Sequence, residues 1–215
     1  MIQAVIFDLD GVLVSTDELH YQAWQTMADR EGIFFDRTIN HRLRGVSRMA
    51  SLEIILERAE KSYTDAEKDE LAAFKNGLYV NLLDGLTPAD VLSGVSETLA
   101  ALRERGVKLA VGSSSKNAKK ILEKTGLLAC FDAVADGTDI TRSKPDPEVF
   151  LCAAAKLGIA PEACAVVEDA EAGIAAAKAG GIFAAAVGDA KKSALADAKL
   201  DDIRDLLSCI GKEIP

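Results

Sequence analysis

The chain opens on a short, unbroken apolar run, Ala4-Val5-Ile6-Phe7, which stops abruptly at Asp8-Leu9-Asp10-Gly11. A run without polar alternation, bounded by turn residues, suits a strand buried on both faces of a parallel sheet. From Ser15 to about Gly85 the period becomes helical. Ser15 and Glu18 have capping-box spacing, and Leu19, Ala23, Trp24 and Met27 follow at helical intervals. Leu52, Ile55, Leu56 and Ala59 mark a second helix. Thr64 and Glu67 form another capping box, opening a third helix that carries Leu71, Phe74, Leu78 and Leu82. Three amphipathic helices without an intervening strand predict a small helical bundle over residues 16–85.

Beyond Leu86-Thr87-Pro88 the pattern alternates. A helix is predicted over 96–105, closed by Gly106, then a strand over 108–112. Ser113-Ser114-Ser115 leads into another helix, and 131–135 reads as a strand. Asp146-Pro147 opens a helix, with the acid at the N-cap and proline at the first position. Ala165-Val166-Val167 is a strand ending in Glu168-Asp169, and 182–187 is another. The alanines between 170 and 186 point to close helix–sheet packing. The expected architecture is α/β: a doubly wound parallel-sheet, Rossmann-like core of residues 1–15 and 86–215, with the bundle inserted after the first strand.

Composition narrows the partners. With 49% hydrophobic and 27% charged residues, a chain of 215 can bury a real core. The net charge of -9 argues against nucleic acid and against anionic membranes, and obliges any phosphate site to gather its cations locally. No stretch is long and apolar enough to span a bilayer, and Met1-Ile2-Gln3 lacks the basic region of a signal peptide. A cytoplasmic monomer is expected. Cys130, Cys152, Cys164 and Cys209 are scattered without a CxxC pair, which favours buried free thiols. His41 reads as a surface residue without a role. Neither glycine fingerprint for nicotinamide or P-loop nucleotide binding is present.

In open α/β sheets, ligands sit beyond the carboxyl ends of the strands. The unusual residues fall there: Asp8 and Asp10 after the first strand, Ser113 after the second, Lys144 after the third, Glu168 and Asp169 after the fourth. Four neighbouring carboxylates repel unless a cation joins them, and an oxygen-rich set suits Mg²⁺. With Mg²⁺ and Lys144 in place, the site attracts a phosphate dianion. Asp8 and Asp10, two apart on an extended segment, point to the same side. One can attack phosphorus while the other handles a proton on the opposite oxygen. A DxD alone is commonly a turn or a cap; turns do not explain the rest of the set.

Phe7-Asp8-Leu9-Asp10-Gly11-Val12-Leu13, Val111-Gly112-Ser113, Lys144-Pro145 and Val167-Glu168-Asp169 resemble, in order, the four motifs of haloacid dehalogenase phosphotransferases. The resemblance implies Asp8 as nucleophile and Asp10 as general acid–base. It implies Ser113 and Lys144 as holders of the transferring phosphoryl group. Asp8, the Asp10 carbonyl and Asp169 would bind Mg²⁺, with Glu168 beside them, and the helical insert would be a cap. Arg44-Gly45-Val46-Ser47-Arg48 with Ser51-Leu52 is similar to the cap signature of the β-phosphoglucomutase family, and Ser115-Lys116-Asn117 to its second phosphate-contacting stretch. His20 and Lys75 also fall at family-like positions, and the resemblance implies that Thr16 and His20 belong with the catalytic residues. The resemblance thus implies substrate contacts from Gly45, Val46, Ser47, Arg48, Ser51, Lys75, Ser115, Lys116 and Asn117. It implies a sugar phosphate substrate and a β-glucose 1,6-bisphosphate intermediate. Taken singly, Arg44 and Arg48 could be a solvated helix face, His20 an ordinary helix residue, and Ser113-Ser114-Ser115 a simple N-cap cluster. Ser15 stands where many relatives have an acid. A sugar-phosphate phosphatase on the same scaffold and a non-catalytic phosphosugar-binding module are the competing readings.

Overall fold

A computed structural model describes residues 2–43 and 46–210. In chain order the strands and α-helices are β1 (Ala4–Phe7), α1 (Asp17–Glu31), α2 (Arg37–His41), α3 (Arg48–Leu56), α4 (Asp65–Leu82), α5 (Val95–Glu104), β2 (Lys108–Gly112), α6 (Ala118–Lys124), β3 (Ala133–Ala135), α7 (Glu148–Leu157), β4 (Cys164–Glu168), α8 (Glu171–Ala179), β5 (Phe183–Ala186), β6 (Ala198–Lys199) and α9 (Leu206–Cys209). The strands form one parallel sheet in the order β3-β2-β1-β4-β5-β6. This is the doubly wound, Rossmann-like arrangement expected of the pattern.

The unbroken apolar run of β1 has its explanation in the two faces of the sheet. Val5 and Phe7 join a core with Leu99 and Leu102 of α5 and Ile121 and Leu122 of α6. Ala4 and Ile6 join another with Phe150 and Ala153 of α7 and Ile174 and Ala177 of α8. Neither face of β1 meets water, so neither carries polar residues. Phe7 is in register with Val111 and with Val167. One step further along, Asp8 therefore lies level with Glu168, and the Asp8 N–H donates to Val167 O at 2.9 Å. The register is what gathers the strand-end acids.

Between β1 and β2 the helices α1, α3 and α4 bury Trp24, Met27, Leu52, Ile55 and Leu71 in a core of their own, with Ile39 of α2. The Thr64–Glu67 capping box forms as expected at the start of α4. The Ser15–Glu18 box does not: α1 starts at Asp17 after Thr16, which makes no side-chain cap because its hydroxyl is committed to Asp10. Ala59 lies beyond the end of α3, and α2, β6 and α9 are additional to the expected elements. The 131–135 strand is shortened to β3, because Leu128–Cys130 forms a 3₁₀ turn before it. Pro147 takes the N-cap position rather than the first helical one, while Asp146 Oδ1 still accepts from the Glu148 N–H at 3.0 Å. All four cysteines are free, and Cys164 alone is fully buried. No helix among the described residues is long and apolar enough to cross a membrane.

Candidate active site

The centre of the site is a buried lysine between two acids. Lys144 Nζ lies 2.5 Å from Asp8 Oδ1 and 2.8 Å from Glu168 Oε1, and 4.6 Å above the Phe150 ring. Burial alone would lower the lysine pKa, but Asp8 and then Glu168 outweigh it and hold Lys144 charged. Glu168 is fully used: its second oxygen accepts from the Asp169 N–H at 2.7 Å and the Ala170 N–H at 3.3 Å. Asp8 keeps one carboxylate oxygen clear of Lys144. Burial, reinforced by Glu168 and opposed by Lys144, pushes the Asp8 pKa up to about 6.

Two glycines make room for this packing. A Cβ at Gly173, inside α8, would overlap the Glu168 carboxylate. A Cβ at Gly11, whose φ is +79°, would overlap the Asp169 carboxylate. The acids thus lie in cradles that only glycine leaves open.

Asp8, Glu168 and Asp169 each bring a carboxylate oxygen within 4.8 Å of the others. Among the described residues no hydrogen-bond donor reaches the Asp169 carboxylate. Burial, then Glu168, Asp8 and Asp10, push its pKa up to about 8. A set of hard oxygen donors this short of positive charge fits Mg²⁺.

Asp10 is held apart from this set by the start of α1. Its Oδ1 accepts from the Thr16 hydroxyl and, at 3.2 Å, from the Thr16 N–H. Burial is the main cause that lifts its pKa to about 6, with Thr16 opposing. Thr16 Oγ1 is in turn 2.9 Å from the Tyr79 hydroxyl, and the Tyr79 ring lies against His20, with centroids 4.0 Å apart and the planes tilted by 32°. His20 Nδ1 is 2.8 Å from Lys75 Nζ, which also lies 4.7 Å above Trp24. Burial, then Lys75 and Arg48, keep His20 neutral. Burial, then Arg48, bring Lys75 down to about 7.

Asp8, Asp10, His20, Lys75, Tyr79, Lys144, Glu168 and Asp169 line one cavity of about 1080 Å³, whereas Thr16 is fully buried behind it. Val46, Ser47, Arg48 and Ser51 line it from the insert, and Ser113, Ser115, Lys116 and Asn117 from the sheet. The serines are arranged along the turn into α6: Ser113 Oγ accepts from Ser115 N–H at 3.1 Å, and Ser115 Oγ from Asn117 N–H at 3.2 Å. Both hydroxyl protons stay available for an anion. Ser47 caps α3 by accepting from Ala50 N–H at 3.2 Å, which places Arg48 at the first position of that helix. Burial lowers the Arg48 pKa. Arg48 is therefore part of the cavity wall and not of a solvated face. Gly45 and Arg44 lie outside the described residues.

The haloacid dehalogenase-like hydrolase family model matches residues 2–181. The chain belongs to that family. It is 48% identical over 181 residues to the β-phosphoglucomutase of Bacillus subtilis, covering 83% of this chain and 80% of that one. It is 32% identical over 182 residues to the phosphorylated carbohydrates phosphatase of Thermotoga maritima, covering 83% and 82%. A crystal structure of the β-phosphoglucomutase from Clostridium difficile superimposes with a TM-score of 0.90 at 38% identity, over 96% of this chain and 93% of that one.

Within this haloacid dehalogenase-like hydrolase, several residues of the cavity have no motif to announce them. Tyr79 and Asn76 lie in α4, Asn40 in α2, and Asp189 beyond β5. The only signal for Tyr79 is paired spacing: Thr16 with His20 and Lys75 with Tyr79 are each four apart, on helices that face each other. His41 is exposed, as expected, but it has a contact: its Nε2 lies 3.1 Å from Asp189 Oδ2, joining α2 to the loop after β5.

Proposed function

We propose that the chain is a β-phosphoglucomutase that interconverts β-D-glucose 1-phosphate and D-glucose 6-phosphate. The observation that carries the proposal is one cavity with two sets of anion-binding side chains. Lys144 and Ser113 accompany Asp8, while Arg48, Ser115, Lys116 and Asn117 line the rest of the wall. A bisphosphate needs both sets, and a monophosphate needs one. The identity to the Bacillus subtilis mutase supports the same reading.

In this mechanism the Asp8 oxygen that Lys144 leaves clear attacks one phosphorus of the bisphosphate, and the bond from that phosphorus to its sugar oxygen breaks, releasing a glucose monophosphate. Asp10 gives that oxygen its proton. The phosphoryl group then rests on Asp8 as an acyl phosphate, held by Lys144 and Ser113. The phosphorylated enzyme then transfers the group to the 6-hydroxyl of an incoming β-glucose 1-phosphate: the bond from Asp8 to phosphorus breaks, and Asp10 takes up the proton that the hydroxyl loses. The product of that transfer is β-glucose 1,6-bisphosphate, which turns over so that its other phosphate faces Asp8. Arg48, with its planar fork of donors, holds whichever phosphate is not reacting. Asp8, Asp169 and the Asp10 carbonyl, with Glu168 beside them, would hold Mg²⁺. That ion, when bound, supplies positive charge to the carboxylates and the transferring group. The helices of residues 16–85 act as a cap, excluding the water that would hydrolyse the acyl phosphate.

The second reading is a sugar-phosphate phosphatase, which the similarity to the Thermotoga maritima enzyme favours. A phosphorus NMR time course with β-glucose 1-phosphate, Mg²⁺ and a trace of bisphosphate tests the proposal. The β anomer should disappear as glucose 6-phosphate appears, and the α anomer should persist. Equal use of the two anomers would contradict it.

A further inference from the structure

The Asn117 side chain is one half of a pair that joins the helical insert to the sheet. Its Nδ2 donates to Asn76 Oδ1 at 3.2 Å. Asn76 lies inside α4, Asn117 immediately precedes α6, and both line the cavity. Asn117 occupies the N-cap position of α6, yet its side chain caps nothing. The amide is therefore not tied to its own helix, and its direction is set from across the cavity.

The pair is not required to attach α4 to the sheet. Lys120 Nζ donates to Val80 O at 2.9 Å, and Asp84 pairs with Lys120 at 3.1 Å and Lys124 at 3.0 Å. Those contacts already hold the end of α4 against α6. What the Asn76 contact adds is orientation. A carboxamide has a donor end and an acceptor end of almost the same shape. The donor end of one amide therefore meets the acceptor end of the other, here Asn117 Nδ2 on Asn76 Oδ1, and reversing one amide alone would set like ends against each other.

We propose that Asn76 is a positioning residue: through its hydrogen bond with Asn117 it holds the Asn117 amide in one orientation towards a bound sugar phosphate. The proposal rests on the phosphosugar reading of the cavity. It makes the sheet side of the second anion-binding set depend on a side chain of the insert.

The test compares Asn76→Ala, Asn117→Ala and the double variant. Ala is a better helix former than Asn, so Asn76→Ala leaves α4 intact. The KM for β-glucose 1-phosphate should rise about three- to tenfold in Asn76→Ala, what one hydrogen bond supplies, with a much smaller change in kcat. Asn76→Ala should add no further loss in the Asn117→Ala background. In the free enzyme, the Asn117 side-chain amide protons should shift upfield in Asn76→Ala and not in Asn76→Asp, which retains an acceptor. Additive losses, or Asn117 amide signals unchanged in Asn76→Ala, would overturn the proposal. A wild type that does not turn over β-glucose 1-phosphate would instead strike the mutase reading. The amide signals would then decide the role of Asn76 on their own.

Discussion

Lys75 Nζ lies 2.8 Å from His20 Nδ1, a buried lysine facing a neutral imidazole and not a carboxylate. While Lys75 is charged its ammonium can only donate, so Nδ1 accepts and the imidazole proton sits on Nε2. The cost of keeping a charge here is visible in the lysine, whose pKa is brought down to about 7 by burial and by Arg48.

That depression has a sign that thermal unfolding can read. The unfolded chain holds the Lys75 proton up to about pH 10.4, and the folded chain gives it up near pH 7. Between those values the unfolded state binds more protons, so the contribution of Lys75 to stability rises with pH. Its penalty is complete below pH 7 and is gone above the unfolded value. Lys75→Met should therefore gain on wild type most at pH 6, by an amount on the order of a few kcal/mol that shrinks steadily towards pH 10. A difference in stability that does not change with pH would contradict this placement of the charge.

Gly173 offers a test in which the usual expectation is reversed. Gly to Ala inside a helix ordinarily stabilises by about 0.5–1 kcal/mol. At Gly173 the added methyl meets the Glu168 carboxylate, the partner of Lys144. Gly173→Ala should destabilise by about 1–3 kcal/mol, the cost of overpacking, and should depress turnover. Denaturant unfolding gives the sign; stabilisation would mean that the cradle is not tight.

Asp10→Asn should cost about 10² to 10⁴ in rate, the worth of a general acid–base group. Binding of a bisphosphate or a metal fluoride analogue, measured by calorimetry, should survive, because the Asp10 carbonyl remains. Loss of binding together with turnover would assign Asp10 a structural role.

The acid cluster predicts a metal requirement. Activity should vanish with a chelator and return with Mg²⁺. Asp169→Ala should weaken Mg²⁺ binding more than Glu168→Gln, since both Glu168 oxygens already accept hydrogen bonds within the protein. Full turnover by a preparation shown to be metal-free by elemental analysis would rule the requirement out.

The strand-end residues were legible because the physics that places them is local. An apolar run that breaks into Asp8-Leu9-Asp10, or into Glu168-Asp169, marks both the strand and its end. β2 begins and ends where its pattern does. β6 left no such mark: two residues, Ala198 and Lys199, between Asp197 and Leu200 carry no apolar run. The Ser15–Glu18 spacing misled because a tertiary contact, Thr16 to Asp10, took the start of α1. Tyr79 and Asn76 became visible only when α4 was laid against the sheet and α1. The spacing along a helix says which side chains share a face, not which partner that face will meet.

The most direct measurement is the ratio of inorganic phosphate released to glucose 6-phosphate formed from β-glucose 1-phosphate, in wild type and in Arg48→Ala. Wild type should yield glucose 6-phosphate with little phosphate. Losing a charged hydrogen-bonding contact costs about 1.5–3 kcal/mol, so Arg48→Ala should cut mutase flux by roughly ten- to a hundredfold. Hydrolysis of the acyl phosphate on Asp8 should fall less, or rise, and the ratio should climb. Release of phosphate at every turnover of wild type, with bisphosphate supplied, would contradict the mutase and establish a phosphatase in its place.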